Sequence, residues 1–467
     1  MTKKNALLLI PVENQVRELD AKLLLACIAA RRGFSSMIGS RREMEFNIDQ
    51  FPRSIYLSKS MTIRSLIFFR VAKRFNHEII TWDEEALVHL PAETYFSRRL
   101  NPRAIRYVSH LFAWGQDNAD LWRQYPHLPE NIPIHITGTP RNDMMRSQLR
   151  PFYAEEVNKI KSRYGDFLLL NTNFNHVNAY GADMNLFKPV KNSGDTPKFG
   201  RAARGMSRAY AEGLRDHKQA VLDHFLEVIP RLEKAFPDCN IVVRPHPTEN
   251  HAIYKQIADR CEHVHVTNEG NVVPWIMATK AVLHNGCTTG VEAHMLGVPA
   301  VSYRAAVNED YDYGFYILPN KMSHQCFNFD ELKNLLQQIL CGELGAADGN
   351  ERRALIGNYL ASQEGPLACE RMVDVLEKID KDFSTAPRKS LKNRLERWFV
   401  SRGLHLAKAI KSSLPGSHNR PEFQRHRFPE ISLETIQAKL LRFRQLLGST
   451  ADPKVEKVTD VIFNIRP

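Results

Sequence analysis

The sequence has seven cysteines, at 27, 239, 261, 287, 326, 341 and 369, and none of them forms a Cys-x-x-Cys pair. An odd set without paired spacing excludes a disulfide framework and a structural zinc site, and points to reduced thiols in a cytoplasmic protein. No apolar run approaches the roughly 18 residues that a bilayer-spanning helix needs. The apolar stretch near the N-terminus is cut by Pro11 and followed by Glu13. Its length and interruption fit a first buried strand, Ala6–Ile10, better than a signal sequence. Internal repeats and low-complexity tracts are missing, as are zinc-finger, helix-turn-helix and RNP-type aromatic patterns. This removes the usual nucleic-acid-binding classes.

What is present is a chain of 467 residues, too long for one core and suited to two domains plus an extension. The 43% apolar and 25% charged fractions are those of a soluble globular protein. The net charge of +12 is uneven: residues 387–428 carry eleven Lys and Arg against only Glu396 and Glu422. In that stretch Leu391, Leu395, Trp398, Phe399, Leu404, Leu406 and Ile410 interleave with the cations. This is a basic amphipathic pattern suited to an anionic membrane surface on the inner face of the cytoplasmic membrane. A helix packed across the domains with a solvated basic face reads the same way. No nucleic-acid partner is expected.

Along the first ~150 residues, short apolar runs alternate with helix-period segments. Strands are expected at Ala6–Ile10, Ser35–Ile38, Ile55–Leu57, Glu78–Trp82, Tyr107–Trp114 and Ile134–Thr137, and helices at Arg17–Arg32 and Ile63–Phe75. A polar helical segment over 150–163 leads into a new strand, Phe167–Asn171, so the domain boundary is placed at 150/151. The Asn-, Gly-, Pro- and Lys-rich segment Asn175–Arg204 reads as a long loop or lid. It is followed by a long helix, about Ser207–Phe236, and by further strands through Pro299–Tyr303. Alternating strands and helices define an α/β class with parallel sheets. The expected divisions are 1–150, 151–386 and a basic helical extension, 387–467.

Two strings carry the strongest chemical signal. Ile241-Val-Val-Arg-Pro-His-Pro-Thr-Glu249 is a buried strand running into a turn whose two prolines fix the backbone and aim His246. An imidazole there can donate to a phosphate oxygen. Arg244, Pro247 and Glu249 flank it. Val282-Leu-His-Asn-Gly-Cys-Thr-Thr-Gly-Val-Glu292 is a second strand whose turn opens a helix. Gly286 lets backbone N–H groups approach an anion, Thr288 and Thr289 add hydroxyls, and Glu292 can accept from a ribose. The same string also reads as a capping box, Thr289 to Glu292. Side by side at the carboxyl ends of parallel strands, the two turns would make a pocket for a nucleotide's phosphate and ribose. Trp82-Asp-Glu-Glu-Ala-Leu87 places Asp83, Glu84 and Glu85 at another strand end, where crowding by like charges raises proton affinity and suits a general base. An acidic loop held by Arg98 and Arg99 is the structural alternative. Glu13, Arg17, Arg141, Asn171 and Asn173 follow other strands and are candidates for contacting substrate.

The chain resembles the bacterial surface carbohydrate biosynthesis proteins through Ile10-Pro-Val-Glu13, Arg17-Glu-Leu-Asp-Ala-Lys-Leu23, Asp83-Glu-Glu85, Phe112-Ala-Trp-Gly115, Thr137-Gly-Thr-Pro-Arg141 and Asn171-Thr-Asn-Phe174. The likeness covers roughly residues 5–385. More distantly it is similar to the GT-B glycosyltransferases that use CMP-activated acidic sugars of the sialic acid and Kdo type. In those an acidic motif, a His-Pro motif and a Ser/Thr pair act together. The resemblance implies that a carboxylate of Asp83–Glu85 is catalytic, that His246 contacts the CMP phosphate and that Thr288 and Thr289 hold it. Ala86 stands where that family's acidic motif has glycine.

The expected protein is therefore a GT-B enzyme with two Rossmann-like domains facing across a cleft. It would move an acidic keto sugar from a CMP donor to a surface glycan or lipid-linked acceptor. His and Arg would replace a metal cation, and no cofactor beyond the donor substrate is expected. Two alternatives remain open: a UDP-sugar epimerase or CDP-polyol phosphotransferase on the same fold, and a non-enzymatic membrane-associated scaffold of polysaccharide export.

Overall fold

The computed structural model describes residues 5–89, 91–190, 195–312, 316–383, 400–403, 405–406, 409–410, 412–413, 420, 424–425, 427–449 and 452–467. The chain divides into two compact units, residues 1–152 with 355–467, and residues 153–354.

In the first unit, six short apolar runs become β1 (Leu7–Val12), β2 (Ser36–Ser40), β3 (Ser54–Ser58), β4 (Glu78–Thr81), β5 (His110–Ala113) and β6 (Ile134–Ile136). They pair in parallel in the order β2-β1-β3-β4-β5-β6. Burial on both faces accounts for their continuous apolar character: Leu8, Leu9, Ile10, Ile55, Leu57, Ile79 and Ile80 are all fully enclosed. The order reverses between β1 and β3, and such a switch point opens a crevice outside the carboxyl ends of the strands.

The second unit holds β7 (Phe167–Asn171), β8 (Asn240–Arg244), β9 (Val264–Val266), β10 (Ala281–His284), β11 (Ala300–Tyr303) and β12 (His324–Cys326). All are parallel, in the order β9-β8-β7-β10-β11-β12. That is the strand order of a Rossmann sheet, with its switch point between β7 and β10. The helix Arg208–Ala235 lays Leu222, Phe225, Val228, Ile229 and Leu232 against this sheet. Part of the segment 175–204 packs on the start of the same helix through Leu186, Phe187, Ala203, Ala211 and Leu214.

Residues 355–383 join the first unit rather than continuing the second, which was expected to run to 386. The physical reason is a helix cap. Asp143 lies in the short helix Pro140–Asp143, and its carboxylate accepts the backbone N–H groups of Ala368 (2.8 Å) and Cys369 (2.8 Å). These open the helix Ala368–Phe383.

The extension also differs from a purely helical tail. The expected membrane-facing residues Leu391, Leu395, Trp398, Phe399 and Leu404 lie outside the described residues; Leu406 and Ile410 are exposed. From Arg427 onward the chain is built into the first unit. The helix Leu433–Leu446 is capped by Ser432 and stacks Phe443 on Phe152 with ring centroids 4.3 Å apart. Strands β13 (Lys454–Thr459) and β14 (Ile462–Arg466) then form a hairpin, and β14 adds antiparallel to β2. Gly39 permits this approach, since a Cβ there would lie 2.0 Å from the Val461 carbonyl oxygen. Among the described residues no helix is long and apolar enough to cross a membrane.

Candidate functional site

Asn171, Arg244 and His284 stand in register at the carboxyl ends of β7, β8 and β10. The His246 turn and the start of the helix Thr288–Leu296 therefore emerge on either side of β7, two strand spacings or about 10 Å apart. Three polar atoms gather at this switch point, all buried: Asn171 Nδ2, Asn285 Oδ1 and Thr289 Oγ1. None has a hydrogen-bond partner among the described residues. Because burying a polar group unpaired is unfavourable, such a cluster marks a place where a ligand supplies the missing partners.

The loop geometry is set by residues whose role was not read from the sequence. His284, fully buried, accepts the Gly286 N–H on Nδ1 (3.0 Å) and so donates from Nε2 to Ser323 Oγ (2.8 Å). Burial pushes its pKa down to about 3, so the ring stays neutral. Gly286 has φ +83°, and a Cβ there would meet the Tyr316 ring at 2.2 Å. The helix begins at Thr288 with Cys287 at the N-cap and no side-chain cap bond. The capping box expected from Thr289 and Glu292 is therefore not formed. Glu292 is buried one turn into the helix.

In the His-Pro turn, the Thr248 amide donates to His246 Nδ1 (3.3 Å) and the Thr248 hydroxyl lies 2.7 Å from the same nitrogen. The proton of the neutral ring is thereby assigned to Nε2, giving a directed donor on a partly exposed imidazole. Pro247 is exposed beside it. Arg244 and Glu249, both expected to bind nucleotide, are turned inward. Arg244 donates to the carbonyls of Glu269 (2.7 Å) and Gly270 and lies 5.3 Å from the centre of the Trp275 ring. Glu249 accepts from the His246 amide (3.1 Å), Thr172 Oγ1 (2.9 Å) and the Tyr254 hydroxyl (2.7 Å). They shape the turn. Asn173 lies two residues beyond β7 and is partly exposed.

The same unit contains a pocket of about 370 Å³, counting its open mouth. Its lining includes Phe174, His217, Lys218, Asn285, Arg304 and Asp312. His217 (2.8 Å) and Arg304 (3.1 Å) both pair with Asp312. Asp312 and Asp310 have Asp-x-Asp spacing, but Asp312 is held by His217 and Arg304.

In the first unit, the acidic motif is resolved into three different environments. Asp83 is buried and accepts from the Tyr95 hydroxyl (2.8 Å) and from Arg99 Nε (3.0 Å), with a second contact from the same guanidinium. Glu84 is buried against Lys22 (3.1 Å). Only Glu85 reaches solvent, where it meets Arg17 (3.0 Å). Partial enclosure works to raise its pKa, but Arg17, with Arg99, Arg141 and Lys59 behind it, holds the carboxyl below its usual range. The expected rise in proton affinity from crowding like charges is thus reversed by surrounding cations.

Glu13, at the β1–β3 switch point, is tied to Lys59 (3.0 Å) and Arg41 (3.1 Å), with Arg427 also in contact. Burial works to raise its pKa, but these cations bring it down to about 2. Arg141 lies 6.0 Å from the centre of the Trp114 ring. Along the carboxyl edge of β4, β5 and β6, buried Trp82 Nε1, Trp114 Nε1 and Thr139 Oγ1 also have no hydrogen-bond partner among the described residues.

No protein-family model matches the chain, and no curated protein matches it in sequence. Solved structures match in fold. The wall teichoic acid polymerase TagF soaked with CDPG matches at 11% identity with a TM-score of 0.50, covering 82% of this chain and 90% of TagF. The UDP-GlcNAc 2-epimerase of Methanocaldococcus jannaschii gives 14% identity and 0.48, covering 80% and 99%. The UDP-GlcNAc 2-epimerase of Neisseria meningitidis bound to UDP-GlcNAc gives 12% and 0.45, covering 80% and 99%. The fold is α/β of the GT-B type, with two Rossmann-like units.

Proposed function

We propose that the chain is an enzyme of surface-glycan synthesis acting on a nucleotide-activated donor of the CDP-polyol or UDP-sugar class. One observation carries this reading: the unpartnered buried atoms of Asn171, Asn285 and Thr289 collect at the switch point of a Rossmann-ordered sheet, beside a helix start and a directed imidazole. In this reading His246 Nε2 and the Thr288 and Thr289 groups take the negative charge that develops on the leaving phosphate. Preorganised donors of this kind are typically worth a few kcal/mol each. Glu292 receives the ribose hydroxyls, and Gly286, through its positive φ and its close approach to Tyr316, turns the chain into the helix start. Glu85, kept ionised by its arginine neighbours, is the carboxylate assigned to proton transfer, and Arg17 and Arg141 contact substrate. Asp83 acts by positioning Arg99.

The fold shared with TagF, whose structure was determined with CDPG, supports a diphosphate donor over the CMP-activated keto sugar expected from the sequence. The test is a thermal-shift panel of CMP, CDP and UDP compounds. A ligand at 100 times its dissociation constant adds about 2.7 kcal/mol of stability. Donor turnover then separates the classes: CMP release marks polyol-phosphate or keto-sugar transfer, and an epimerised nucleotide sugar marks the epimerase. Absence of stabilisation by every nucleotide would remove the proposal. His246→Ala is expected to keep the wild-type melting temperature without ligand and to lose turnover.

A further inference from the structure

Lys218 sits in the middle of the helix Arg208–Ala235 with only 5% of its surface exposed. Among the described residues its ammonium makes no hydrogen bond and no ion pair at contact distance; it lies against the Tyr316 ring, with the centroid 4.0 Å from Nζ, and feels Asp312 and Glu249 only at longer range. A buried ammonium without a partner is strongly unfavourable, and proteins compensate it with a counter-charge or deprotonation. Lys218 lines the open pocket of the second unit together with Asn285, whose Oδ1 is itself without a partner. Arg304 and His217 share that wall, and Asp312 is the one acidic residue in the lining, already paired with both. Arg304 and Asp312 balance one another, so a protonated Lys218 leaves the lining with an uncompensated positive charge. Its lining contains neither His246 nor Thr288 and Thr289, and it touches their site through Asn285.

We propose that this pocket receives an anionic substituent, a carboxylate or phosphate, on the group that the nucleotide carries, with Lys218 as its counter-charge. This rests on the donor reading above and narrows it: acidic activated groups are selected over neutral hexoses. Burial lowers the Lys218 pKa to about 7, with Asp312 and Glu249 opposing. An anion would therefore bind together with a proton at slightly alkaline pH.

Two measurements decide it. In the first, wild-type protein is acetylated at pH 7 and modification of Lys218 is followed by mass spectrometry. Inorganic phosphate, glucuronate and glucose are added separately. At least fivefold slowing by phosphate or glucuronate, and none by glucose, is expected, and the anion that protects identifies the source. In the second, dissociation constants for UDP, UDP-glucose and UDP-glucuronate are compared between wild type and Lys218→Met, which keeps the aliphatic stem. The variant is expected to weaken UDP-glucuronate at least tenfold and the other two less than twofold. Equal weakening of all three would place Lys218 in the nucleotide site and overturn the proposal. So would labelling that no anion slows. If wild type binds no nucleotide, the donor reading falls, and the labelling still decides the pocket alone.

Discussion

Replacing Lys22 by methionine tests how the first unit organises its carboxylates. All three protons of the Lys22 ammonium are matched, to the Pro11 carbonyl (2.7 Å), Glu18 (2.7 Å) and Glu84 (3.1 Å), with Lys22, Glu18 and Glu84 all buried. Methionine preserves the stem and leaves Glu84 without its cation, while Glu18 keeps Lys59 at 2.7 Å. Breaking a buried pair from one side typically costs about 3–5 kcal/mol. The remaining Lys59 contact argues for the lower end, about 3 kcal/mol at pH 7.

The pH dependence has a definite sign. In the wild type, burial works to raise the Glu18 pKa, but Lys22 and Lys59 hold it well below its usual value. The stability it contributes is complete above the unfolded value of about 4.5 and is lost as pH falls below it. In the variant, the unpaired Glu84 is expected to retain a proton in the folded state that the unfolded chain has released. Stability of the variant then falls as pH rises from 5 to 7, and the gap to wild type widens. Urea denaturation between pH 4 and 8 measures this, and Trp82, whose ring centroid is 5.6 Å from Lys22 Nζ, supplies a local fluorescence reporter. Hydrogen exchange in Leu7–Val12 assigns the loss to the first sheet. A midpoint unchanged at pH 7, or a gap that does not vary between pH 5 and 7, would refute the reasoning.

Gly290→Ala should displace the His284 ring, since the new Cβ would lie 2.4 Å from Nε2. The expected loss is about 1–3 kcal/mol, read as a lower melting temperature and weakened stabilisation by nucleotide. Deleting residues 453–467 exposes the partners of buried Ile462, Phe463 and Ile465. At about 1.5–3 kcal/mol for each side chain, the truncated protein should melt lower and aggregate at the bared β2 edge, as seen by light scattering. Asp143 has its pKa raised to about 6 by burial, with the Cys369 and Ala368 amides opposing. Its folded state holds the proton more tightly than the unfolded chain, so it makes stability fall as pH rises from about 4 to 6. Asp143→Asn should flatten that slope in a pH series of thermal melts.

The parallel strands were legible because burial on both faces forces continuous runs such as Leu7–Ile10 and Ile241–Val243. Their observed ends differ from expectation by only a few residues: Tyr107–Trp114 becomes His110–Ala113. The hairpin was not legible, because Lys454-Val-Glu-Lys-Val-Thr459 is largely exposed and has no apolar face to betray it. β12, His-Gln-Cys, is only three residues long and has a single buried side chain, Cys326. At the site, the two strand-to-turn strings identified His246 and Thr288 because a polar turn after a buried strand is a local signal. Lys218 carries no such signal, since a lysine within a long helix ordinarily lies on its wet face. Which of Asp83, Glu84 and Glu85 remains accessible depends on Lys22 and Arg99, partners 62 and 16 residues away in Lys22–Glu84 and Asp83–Arg99. No local pattern encodes those distances.

The strand that closes β2 begins at Ile462, 422 residues after Ser40. At the usual 5–20 residues per second, a ribosome needs roughly 20–85 seconds to make that interval. For that time a nascent first sheet has an open rim with both of its backbone donors and acceptors on offer. Closure of this sheet therefore waits on a strand made long after its neighbour, and a cell that slows elongation lengthens the period in which holdase chaperones must shield that rim.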